Sequence, residues 1–487
     1  MRPAWWRRPF GVAAFALVAA CSDRSPAGDG TGEDTSPTIG ATSVHDWTRF
    51  GWDAARTNAA SDSTGIDSAN VATLVRQQVA LDGTVDSSPI YLHAVQVNGA
   101  SHDVFIVTTT YGKTLAIDAR TGSILWRFTP PGYSDFAGSF QITTATPVAD
   151  PSRLFVYAAA PDGNIRRLSV ADGSVVWTTS ITQLPSREKI ASALNYDRGH
   201  VIATTGGYIG DAPPYQGHVA VIDGASGQLV GVWNAHCSDH AAVIAPTSCS
   251  QSGSAIWGRA GAVVDSATGD LFVATGNGKW DGATQWGDAV LELDANASHV
   301  IGNFTPSNTA DLNNADVDVG STSPVLLGGG LIAQSGKDAT IRVLDLSMIR
   351  APGAHEGGER QAIGTPGGSG VFTAPAVWHN GGTTWVFVAN GGGTGALTLS
   401  GSQLQGAWSN NTSGTSPVLA GGLLYVYDLG GSGLHVYNPQ SGHEVAQLDA
   451  GHGHWNSPIV VDGMIALPEG NANDHAATGT LNIYRRP

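Results

Sequence analysis

The chain has little charge and few cysteines. Only 13% of its 487 residues are Asp, Glu, Lys or Arg, with 24 basic residues against 40 acidic ones, and it has three cysteines. The formal net charge is −16, and it becomes about −19 if Arg2, Arg7 and Arg8 leave with an N-terminal leader. Such a surface repels phosphate backbones and anionic lipid heads. We therefore expect no nucleic-acid partner.

Several catalytic motifs are also missing. No Cys-x-x-Cys-His motif is available to attach haem covalently, and no Gly-rich phosphate loop follows a strand and opens a helix. A Gly-x-Ser-x-Gly nucleophile elbow is absent as well. Without an attached haem any electrons must leave to a separate acceptor, and the other two absences argue against a nucleotide cofactor and an α/β-hydrolase. In contrast, 64 glycines and 14 tryptophans indicate a turn-rich, aromatic-anchored β protein.

Residues 1–20 are predicted to be an export signal. Arg2, Arg7 and Arg8 precede an apolar run at residues 10–20 that is too short to span a membrane. The run ends in Leu-Val-Ala-Ala-Cys21, which resembles the bacterial lipobox and makes Cys21 the lipidated N-terminus of a mature lipoprotein. The alternative is an ordinary leader with a chance Cys. Ser22 after the Cys resembles the pattern that sorts lipoproteins to the outer membrane, and Arg7-Arg8 loosely resembles a twin-arginine signal.

The rest divides into a polar tether at residues 21–43 and one folded domain at residues 44–487. Within the domain one unit repeats. Its fullest copy is Ala116-x-Asp118-x-x-x-Gly122-x-x-x-Trp126: an apolar strand, a tight turn in which Gly supplies a positive φ angle, and a strand that ends in an aromatic residue. Degenerate copies lie at residues 167–177, 219–233, 290–304, 341–348, 396–408 and 434–448, and an eighth begins at residues 480–484.

The other half of each unit is a short strand that opens with Ser, Thr or Ala followed by Pro, a residue suited to the first position of a strand. These openings carry Pro89, Pro147, Pro324, Pro375, Pro417 and Pro458, and two openings without Pro lie near Ala193 and Gly261. Eight openings about fifty residues apart predict an all-β, eight-bladed β-propeller of four-stranded antiparallel blades, with seven blades as the alternative. Residues 71–81 are expected to complete the last blade beside residues 480–484 and so close the ring.

The repeat pattern resembles the tryptophan-docking repeat of the pyrroloquinoline quinone (PQQ) propellers, the quinoprotein alcohol dehydrogenase-like family, and within it the polyvinyl alcohol dehydrogenase-like branch. The resemblance covers nearly the whole mature chain. It implies one axial site, on the face where the loops before the innermost strands meet the loops between second and third strands. The polar and aromatic candidates in these loops are Glu188, Lys189, Tyr208, Trp257, Arg259, Asn277, Asp316, Asp318, Lys337, Asn390, His452, His454, Trp455, Glu469 and Asn471.

The resemblance assigns roles to five of these residues. Trp257, in Ser-Ala-Ile-Trp-Gly, corresponds to the Trp under the flat quinone, and Asn277, in Thr-Gly-Asn-Gly, to an oxygen ligand of calcium. Asp316 of Asp316-Val-Asp318 corresponds to the catalytic base and is placed with Asn277 at the metal, while Asp318 joins the cofactor-binding set. Lys337 corresponds to the basic residue at the quinone oxygens. Physically, a carboxylate can take an alcohol proton, a cation can stabilise charge on a quinone, and an aromatic face suits a planar cofactor.

Two features depart from the family pattern. The loop of blade three that holds the family's glutamate ligand to calcium offers only Asp211 here, and no two cysteines are adjacent. Cys237 and Cys249 are twelve residues apart, and in an oxidising compartment we expect a disulfide between them that pins a lid loop; with His236 and His240 they could instead form a zinc set. His452 and His454 lie in a Gly-rich loop, where we expect solvated side chains and not metal ligands.

Two functions remain open. The first is an exported PQQ-dependent dehydrogenase that oxidises a small or polymeric alcohol and passes electrons to an external acceptor, held on the periplasmic side of the outer membrane or at the cell surface by its lipid alone. The second is a binding or scaffold propeller without an enzymatic role, similar to the lipoprotein propeller of outer-membrane barrel assembly. The missing glutamate and cysteine pair favour the second function. The concentration of polar residues on one face favours the first.

Overall fold

A computed structural model of the chain describes residues 45–487, which form eight four-stranded antiparallel sheets, the blades of a propeller. The predicted all-β, eight-bladed fold is confirmed, and the seven-blade alternative is wrong. The predicted leader, the lipidation of Cys21 and the tether to residue 43 lie outside the described residues. No helix among residues 45–487 is long and apolar enough to cross a membrane.

The first strand, β1 (Val75–Leu81), belongs to the last blade, and the other blades take their strands consecutively, listed here from axis to rim. Blade 1 contains β2 (Ile90–Val97), β3 (Ala100–Thr108), β4 (Thr114–Asp118) and β5 (Ile124–Phe128). Blade 2 contains β6 (Val148–Ala149), β7 (Phe155–Ala159), β8 (Asn164–Ser169) and β9 (Val175–Ser180). The short strands β10 (Glu188–Lys189) and β13 (Gly206–Gly207) pair with each other beside blade 3, which contains β11 (Asn195–Asp197), β12 (His200–Thr204), β14 (His218–Asp223) and β15 (Leu229–Asn234).

The second half of the chain repeats this order. Blade 4 contains β16 (Val263–Val264), β17 (Leu271–Ala274), β18 (Val290–Leu293) and β19 (Val300–Phe304). Blade 5 contains β20 (Val325–Gly328), β21 (Leu331–Gln334), β22 (Thr340–Asp345) and β23 (Gln361–Gly364). Blade 6 contains β24 (Ala376–Asn380), β25 (Thr383–Asn390), β26 (Gly393–Ser400) and β27 (Gln403–Asn410). Blade 7 contains β28 (Val418–Ala420), β29 (Leu423–Tyr427), β30 (Leu434–Tyr437) and β31 (Glu444–Leu448).

The two ends of the domain share blade 8. It consists of β32 (Ile459–Val461), β33 (Met464–Glu469), β34 (Gly479–Arg485) and, outermost, β1. Val75 of β1 lies opposite Arg485, and Leu81 lies opposite Gly479. The predicted closure is therefore confirmed, and it leaves no unpaired edge between the chain ends.

The repeat residues explain how neighbouring blades dock. Trp126 donates from Nε1 to the carbonyl of Val170 at 2.8 Å, and its ring covers Gly173 in the turn of the next blade. Gly173 has a φ of 73°, and a Cβ there would lie 2.6 Å from the ring. Both the backbone conformation and the close approach require Gly. The same contact joins Trp177 to Gly227 and Trp408 to Gly442.

Helices are few and short in the described chain. They are α1 (Tyr133–Phe136), α2 (Thr309–Ala315) and α3 (Leu346–Ile349), with 3-10 turns at Val71–Thr73, Pro246–Ser248, Val319–Ser321, Pro366–Gly368 and Ala472–Asp474. One detail of the repeat analysis is wrong: residues 346–348 are the start of α3 and not a second strand, so β23 completes blade 5 after a longer connection. The Asp345 side chain accepts a hydrogen bond from the Ser347 amide and so caps the N-terminus of α3, where a strand was expected to continue.

Residues 47–64 close the axial channel from the side opposite the loops before the innermost strands. This segment bonds to seven blades, with contacts at Tyr91, Ala149, Asn195, Val264, Val377, Leu419 and Gly463. Its Arg56 is 1% exposed and donates to the carbonyls of Phe50 and Leu194 on the axis. The channel is therefore a blind funnel, open on one face.

Candidate functional site

The residues singled out in the sequence meet at the open face of the funnel. Blade 4 supplies Trp257 from the loop before its innermost strand and Asn277 from the loop between β17 and β18. Blade 5 supplies Asp316 and Asp318 before β20, and Lys337 between β21 and β22. The structure brings four of these side chains into one hydrogen-bonded and ion-paired group, with the Lys337 ammonium 5.5 Å from the centre of the Trp257 ring.

Lys337 lies at the centre of this group. Its Nζ is 2.8 Å from Oδ1 of Asp316 and 2.8 Å from Oδ2 of Asp318. The backbone fixes this arrangement, because the Lys337 amide donates to the Asp318 carbonyl at 2.9 Å. The preceding Gly336 allows the close approach, since a Cβ there would lie 2.6 Å from that same carbonyl oxygen. The ammonium is therefore held between two carboxylates by main-chain contacts.

Asp316 is presented to the solvent side of the funnel. It ends α2 in the left-handed conformation, with a φ of 53°, and its side chain is 70% exposed. Its Oδ1 accepts from Lys337 and, at 2.9 Å, from Nδ2 of Asn277. Within the described chain Oδ2 has no partner, and Oδ1 of Asn277 is buried without one. Strained backbone of this kind is concentrated at functional sites, and two oxygens here are free to bind something else.

The pKa values of Lys337 and of two carboxyl groups beneath it are all raised. Burial raises the pKa of Asp318 to about 6, although Lys337 acts to lower it. Behind it, Asp288 is fully buried, and burial and then the charge of Asp318 raise its pKa to about 8, although the Val319 amide acts to lower it. Burial alone would lower the pKa of Lys337, but the charges of Asp318 and Asp316 outweigh it and raise that pKa. Near neutral pH, Lys337 is thus a cation and Asp288 carries a proton.

An aromatic surface covers the axis beside this group. It is formed by Trp257, Phe372 and Trp455 from the loops before the innermost strands of blades 4, 6 and 8. Their ring centres are 5.9 Å, 6.0 Å and 6.5 Å apart, and each side chain is only half-buried. Three partly exposed rings on the axis offer a face to a planar ligand.

The opposite wall, between blades 8 and 1, contains a buried carboxylate. Asp86 accepts hydrogen bonds from Nδ1 of His454 at 2.5 Å and from the backbone amides of Trp455 at 2.7 Å and Ala472 at 2.9 Å. Its pKa is lowered because these bonds and the charge of Arg259 outweigh its burial. The expectation that His454 is solvated is therefore wrong, since a carboxylate hidden from solvent holds its ring. His452 is exposed, as expected.

Several candidates from the same loops have structural partners instead. Tyr208 donates to the Pro185 carbonyl, and Asn390 donates to the carbonyls of Pro366 and Ser369. Glu469 accepts from the Gly451 amide and from Asn482, and the Asn471 side chain accepts from the Asn473 amide. Glu188 is 1% exposed and accepts from Thr182 and from the Gln216 amide. These residues shape the loops and are not part of the exposed group.

Asp211 lies near the group but is not joined to it. Although the residue as a whole is exposed, burial of its carboxyl raises its pKa, while Lys337 and a hydrogen bond with the Tyr215 hydroxyl act in the opposite direction. Among residues 45–487 Asp211 forms no ion pair. It therefore does not replace the glutamate missing from this loop.

Cys237 and Cys249 are joined in a disulfide with their Cα atoms 6.0 Å apart, so the predicted pairing is confirmed. The nearby His236 is fully buried, and its Nε2 lies 3.0 Å from the Ser254 hydroxyl, while burial lowers its pKa to about 4. The zinc alternative is wrong, because both cysteines are used by the disulfide. The bond closes a loop beside Asn277, and the Ser254 amide donates to the Asn277 carbonyl at 2.6 Å.

Sequence analysis missed three residues of the site: Asp288, Phe372 and Asp86. Asp288 follows Gly287 in a loop without a repeat signal, and Phe372 precedes an opening whose only clear signal is Pro375. Asp86 stands four residues before the innermost strand of blade 1, the same place in its blade as several of the candidates. That position in the loop was the one signal available for finding it.

Comparison with known proteins agrees with the architecture. A family model described as outer membrane protein assembly factor BamB matches residues 83–280. Over 211 residues, 41% of this chain, the sequence is 22% identical to the polyvinylalcohol dehydrogenase of Sphingopyxis sp. (strain 113P3). The match spans 31% of that protein, about a third of its length.

Solved structures share the fold at low identity. The quinohemoprotein alcohol dehydrogenase from Comamonas testosteroni superposes with a TM-score of 0.67 and 17% identity, over 90% of this chain and 80% of that one. A europium-containing methanol dehydrogenase gives a TM-score of 0.67 and 14% identity, over 91% of this chain and 98% of that one. At these identities the likeness concerns the fold alone.

Proposed function

We propose that this chain, a PQQ-type propeller related to quinoprotein dehydrogenases and to BamB, is an exported dehydrogenase that oxidises an alcohol in its axial funnel. The observation that carries the proposal is the exposed carboxylate of Asp316, joined to Lys337 and Asn277 beside the half-buried ring of Trp257. A propeller that only scaffolds other proteins has no need for a strained, exposed carboxylate next to a cation and an aromatic face on its axis.

The residues fit a planar quinone. The aromatic surface of Trp257, Phe372 and Trp455 would support the ring, and the Lys337 ammonium, 5.5 Å from the Trp257 ring, would lie at its oxygens. When bound, PQQ would accept the two electrons that leave the alcohol. Lys337 would stabilise the negative charge that develops on the acceptor oxygen, because it is a preorganised cation in a partly desolvated site.

The residues fit a hard cation only in part. Asn277 Oδ1 is buried without a partner and Asp316 Oδ2 is free, which are the oxygen donors that calcium prefers. Among residues 45–487, however, no group of three or more His, Cys, Asp or Glu side chains is arranged to hold a metal ion. Water and the ligand itself would have to supply the other donors. We propose Asn277 and Asp316 as the ligands of a weak calcium site.

The chain's own residues can carry the proton chemistry. Asp316 would accept the hydroxyl proton of the alcohol through Oδ2, since Oδ1 is occupied by Lys337 and Asn277; Oδ2 has two lone pairs, one for the proton and one that a cation can share. Lys337 orients this carboxylate through the contact with Oδ1. Asp318, with a pKa of about 6, lies on the other side of the same ammonium and would set how firmly Lys337 is held. The oxidised product is a carbonyl compound, and the electrons would pass to an external acceptor because the chain has no haem motif.

Reconstitution tests the proposal. The purified protein is titrated with PQQ and calcium or magnesium while absorbance and thermal shift are followed, and alcohol-dependent reduction of a dye is then measured. Saturable PQQ binding followed by dye reduction supports the proposal. If the protein shows no binding of PQQ or metal even at high concentration, the proposal is contradicted.

Three observations favour a second function. The matched family model carries the description of a barrel-assembly factor, and the family's glutamate ligand and adjacent cysteines are missing here. A binding or scaffold propeller would explain these three facts. Capture of a defined partner by the intact protein, unaffected by Asp316→Asn and Trp257→Ala, would favour it over the enzyme.

We also propose that the protein is exported and lipid-anchored through Cys21. The support is the lipobox-like sequence and the disulfide between Cys237 and Cys249, which belongs to an oxidising compartment. Metabolic labelling with a radioactive fatty acid tests the anchor, with Cys21→Ser as the matched control. Label that persists in the variant would contradict it.

A further inference from the structure

A serine, a histidine and a glutamate form a hydrogen-bonded row in blade 7, a blade that contributes no residue to the site described above. Oγ of Ser432 lies 2.7 Å from Nε2 of His435, and Nδ1 of the same ring lies 2.9 Å from Oε1 of Glu444. This is the order and the spacing of a nucleophile, a general base and an orienting carboxylate. Such a row is recognised by its geometry and not by a sequence motif, so the missing Gly-x-Ser-x-Gly does not exclude it.

The strands of blade 7 hold these residues in position. Ser432 lies in the loop between β29 and β30, on the open face, His435 is in β30, and Glu444 begins β31. The buried ring of His435 stacks on the ring of Tyr437, two residues further along the same strand, with centres 6.0 Å apart and planes 8° apart. Tyr437 in turn lies 6.2 Å from the Trp408 ring of blade 6, so the row faces the groove between blades 6 and 7. The base is therefore fixed by packing on a strand, which is the more precise support for a catalytic group.

Each of the three side chains has the exposure that its role requires. Ser432 is exposed, so a substrate can reach Oγ, whereas His435 is only 6% exposed. The Glu444 side chain is 43% exposed. When Nδ1 of His435 carries the hydrogen and donates it to Glu444, Nε2 presents its lone pair to the Ser432 hydroxyl. In this tautomer the imidazole can take the serine proton.

Asp428 holds the serine in place without competing as a base. Its carboxylate accepts hydrogen bonds from the hydroxyls of Ser413 and Ser432 and from the amides of Gly430 and Ser432. Although burial acts to raise the pKa of Asp428, these hydrogen bonds lower it to about 2. An imidazole is ordinarily a far stronger base than such a carboxylate. Of the two acceptors within reach of the Ser432 hydroxyl, His435 is therefore the one that can take its proton.

The glycines around Ser432 leave backbone amides for an oxyanion. The amides of Gly430 and Ser432 are used by Asp428, whereas those of Gly431 and Gly433 donate to no other group among residues 45–487. Backbone N–H groups next to a nucleophile are common donors to the negative oxygen that develops during acyl transfer. The loop thus supplies a nucleophile and two free donors beside it.

We infer that Ser432, His435 and Glu444 form a second, nucleophilic active site that hydrolyses carboxylic esters. Oγ of Ser432 attacks the ester carbonyl while its proton passes to Nε2 of His435, and the amides of Gly431 and Gly433 receive the oxyanion. His435 then gives the proton to the departing alcohol, which leaves the acyl group on Ser432. Water attacks this acyl-serine with His435 as the base, and the carboxylic acid and the free serine are released. The reaction consumes one ester and one water, needs no oxidant or cofactor, and is independent of the dehydrogenase proposed above.

Serine-directed probes test this site on the purified full-length protein. A fluorophosphonate, which phosphonylates activated serines with loss of fluoride, is followed by intact mass and peptide mapping, and hydrolysis of p-nitrophenyl acetate is followed by absorbance. The variants are Ser432→Ala, His435→Gln and Glu444→Gln, and thermal unfolding checks that each is folded. Ser226→Ala is the control, since Ser226 is an exposed serine whose hydroxyl donates to the carboxylate of Asp223 at 2.7 Å and not to an imidazole.

We expect the probe on Ser432 of the wild type and no label at this position in Ser432→Ala. His435→Gln should slow labelling and ester hydrolysis about a hundredfold or more, because the general base is lost. Glu444→Gln should slow both about tenfold or more, because the ring loses its orienting carboxylate; at its partly exposed position it carries the test alone if His435→Gln does not fold. Ser226→Ala should stay within a few-fold of the wild type. An unlabelled Ser432 in the wild type, equal labelling rates in the wild type and Glu444→Gln, or ester hydrolysis no slower in Ser432→Ala overturns the inference.

Discussion

Lys337 donates to Oδ1 of Asp316 at 2.8 Å and leaves Oδ2 of the same carboxylate free at the open face of the funnel. The contact fixes one oxygen of the carboxylate, together with the hydrogen bond from Asn277. It also orients the free oxygen, since the Lys337 backbone is bonded to Asp318. A carboxylate held in this way is suited to take a proton from a bound hydroxyl.

The first prediction concerns this carboxylate. Asp316→Asn should reduce dye-linked alcohol oxidation by about two to four orders of magnitude, the usual contribution of general base catalysis, because the amide keeps the size and loses the base. The dissociation constant for PQQ should stay within a few-fold, as measured by fluorescence quenching. Asp311→Asn, an exposed position in the same helix α2, is the control. Full activity in Asp316→Asn would mean that another group takes the proton.

The second prediction concerns the aromatic surface. Trp257→Ala should weaken PQQ binding about tenfold or more, because it removes one ring of the stacking face. The contacts of Lys337 with Asp316 and Asp318 do not involve Trp257 and should persist. Trp385→Ala is the control, since Trp385 stacks on Phe387 in blade 6 away from the funnel. Unchanged PQQ affinity in Trp257→Ala would place the cofactor elsewhere.

The architecture was predictable because each blade repeats the same physical requirement. A Trp that covers the next blade needs a Gly beneath it, as Trp126 needs Gly173, and the recurrence of this Gly and Trp in successive units revealed the repeat. The closure at β1 and β34 followed from a missing outer strand. The fifth blade was predicted less accurately because α3 interrupts its outer hairpin, and nothing in the local periodicity required that insertion.

The site was predictable only in part. Trp257, Asn277, Asp316 and Lys337 could be placed on one face because their loops alternate between two classes, and the structure brings them together. Their roles remain predictions. Asp86, which holds His454, and Asp288, which lies behind Asp318, depend on contacts between neighbouring blades that the sequence pattern does not show. His454 illustrates the limit, since its Gly-rich neighbours indicated a solvated loop while its partner is 368 residues away.

The third prediction concerns Asp288 and the pH dependence of stability. Burial raises its pKa to about 8, whereas a carboxyl of the unfolded chain ionises near pH 4. Between these values the native state binds more protons than the unfolded state, so this group lowers stability as the pH rises from about 4 to about 8. Asp288→Asn removes the effect. The Tm of the variant minus the Tm of the wild type should therefore be larger at pH 8 than at pH 5.

Thermal unfolding by circular dichroism at both pH values checks this expectation. Asp311→Asn, at an exposed position of α2, controls for a general change in surface charge. A difference between variant and wild type that is the same at pH 5 and pH 8 would show that Asp288 does not titrate in this range.

The fourth prediction separates two reasons why turn positions require Gly: a positive φ angle and the close approach of a Trp ring. Gly173 has a φ of 73°, and a Cβ there would lie 2.6 Å from the Trp126 ring, whereas Gly401 has a φ of 60° with nothing within 4 Å. Gly401→Ala should cost about 1 kcal/mol from backbone strain alone. Gly173→Ala should cost about 1–3 kcal/mol more, because the ring must shift. Chemical denaturation measures both, and equal losses would mean that the tryptophan docking is easily rearranged.

The fifth prediction concerns calcium. Asn277 and Asp316 offer two oxygen ligands, and the loop of blade 3 has no glutamate to add a third. A calcium site with few protein donors lies at the weak end of the affinity range, with dissociation constants of about 0.1–1 mM. Alcohol oxidation should therefore need added calcium at about millimolar concentration and be lost reversibly with a chelator. Calorimetric titration of calcium into the PQQ-loaded protein measures the affinity directly.

Asn277→Asp adds a negative charge at the proposed ligand and should lower the calcium concentration needed, whereas Asn277→Ala should raise it. A submicromolar affinity in the wild type would show that other donors complete the site, and activity indifferent to both variants would show that Asn277 is not a ligand.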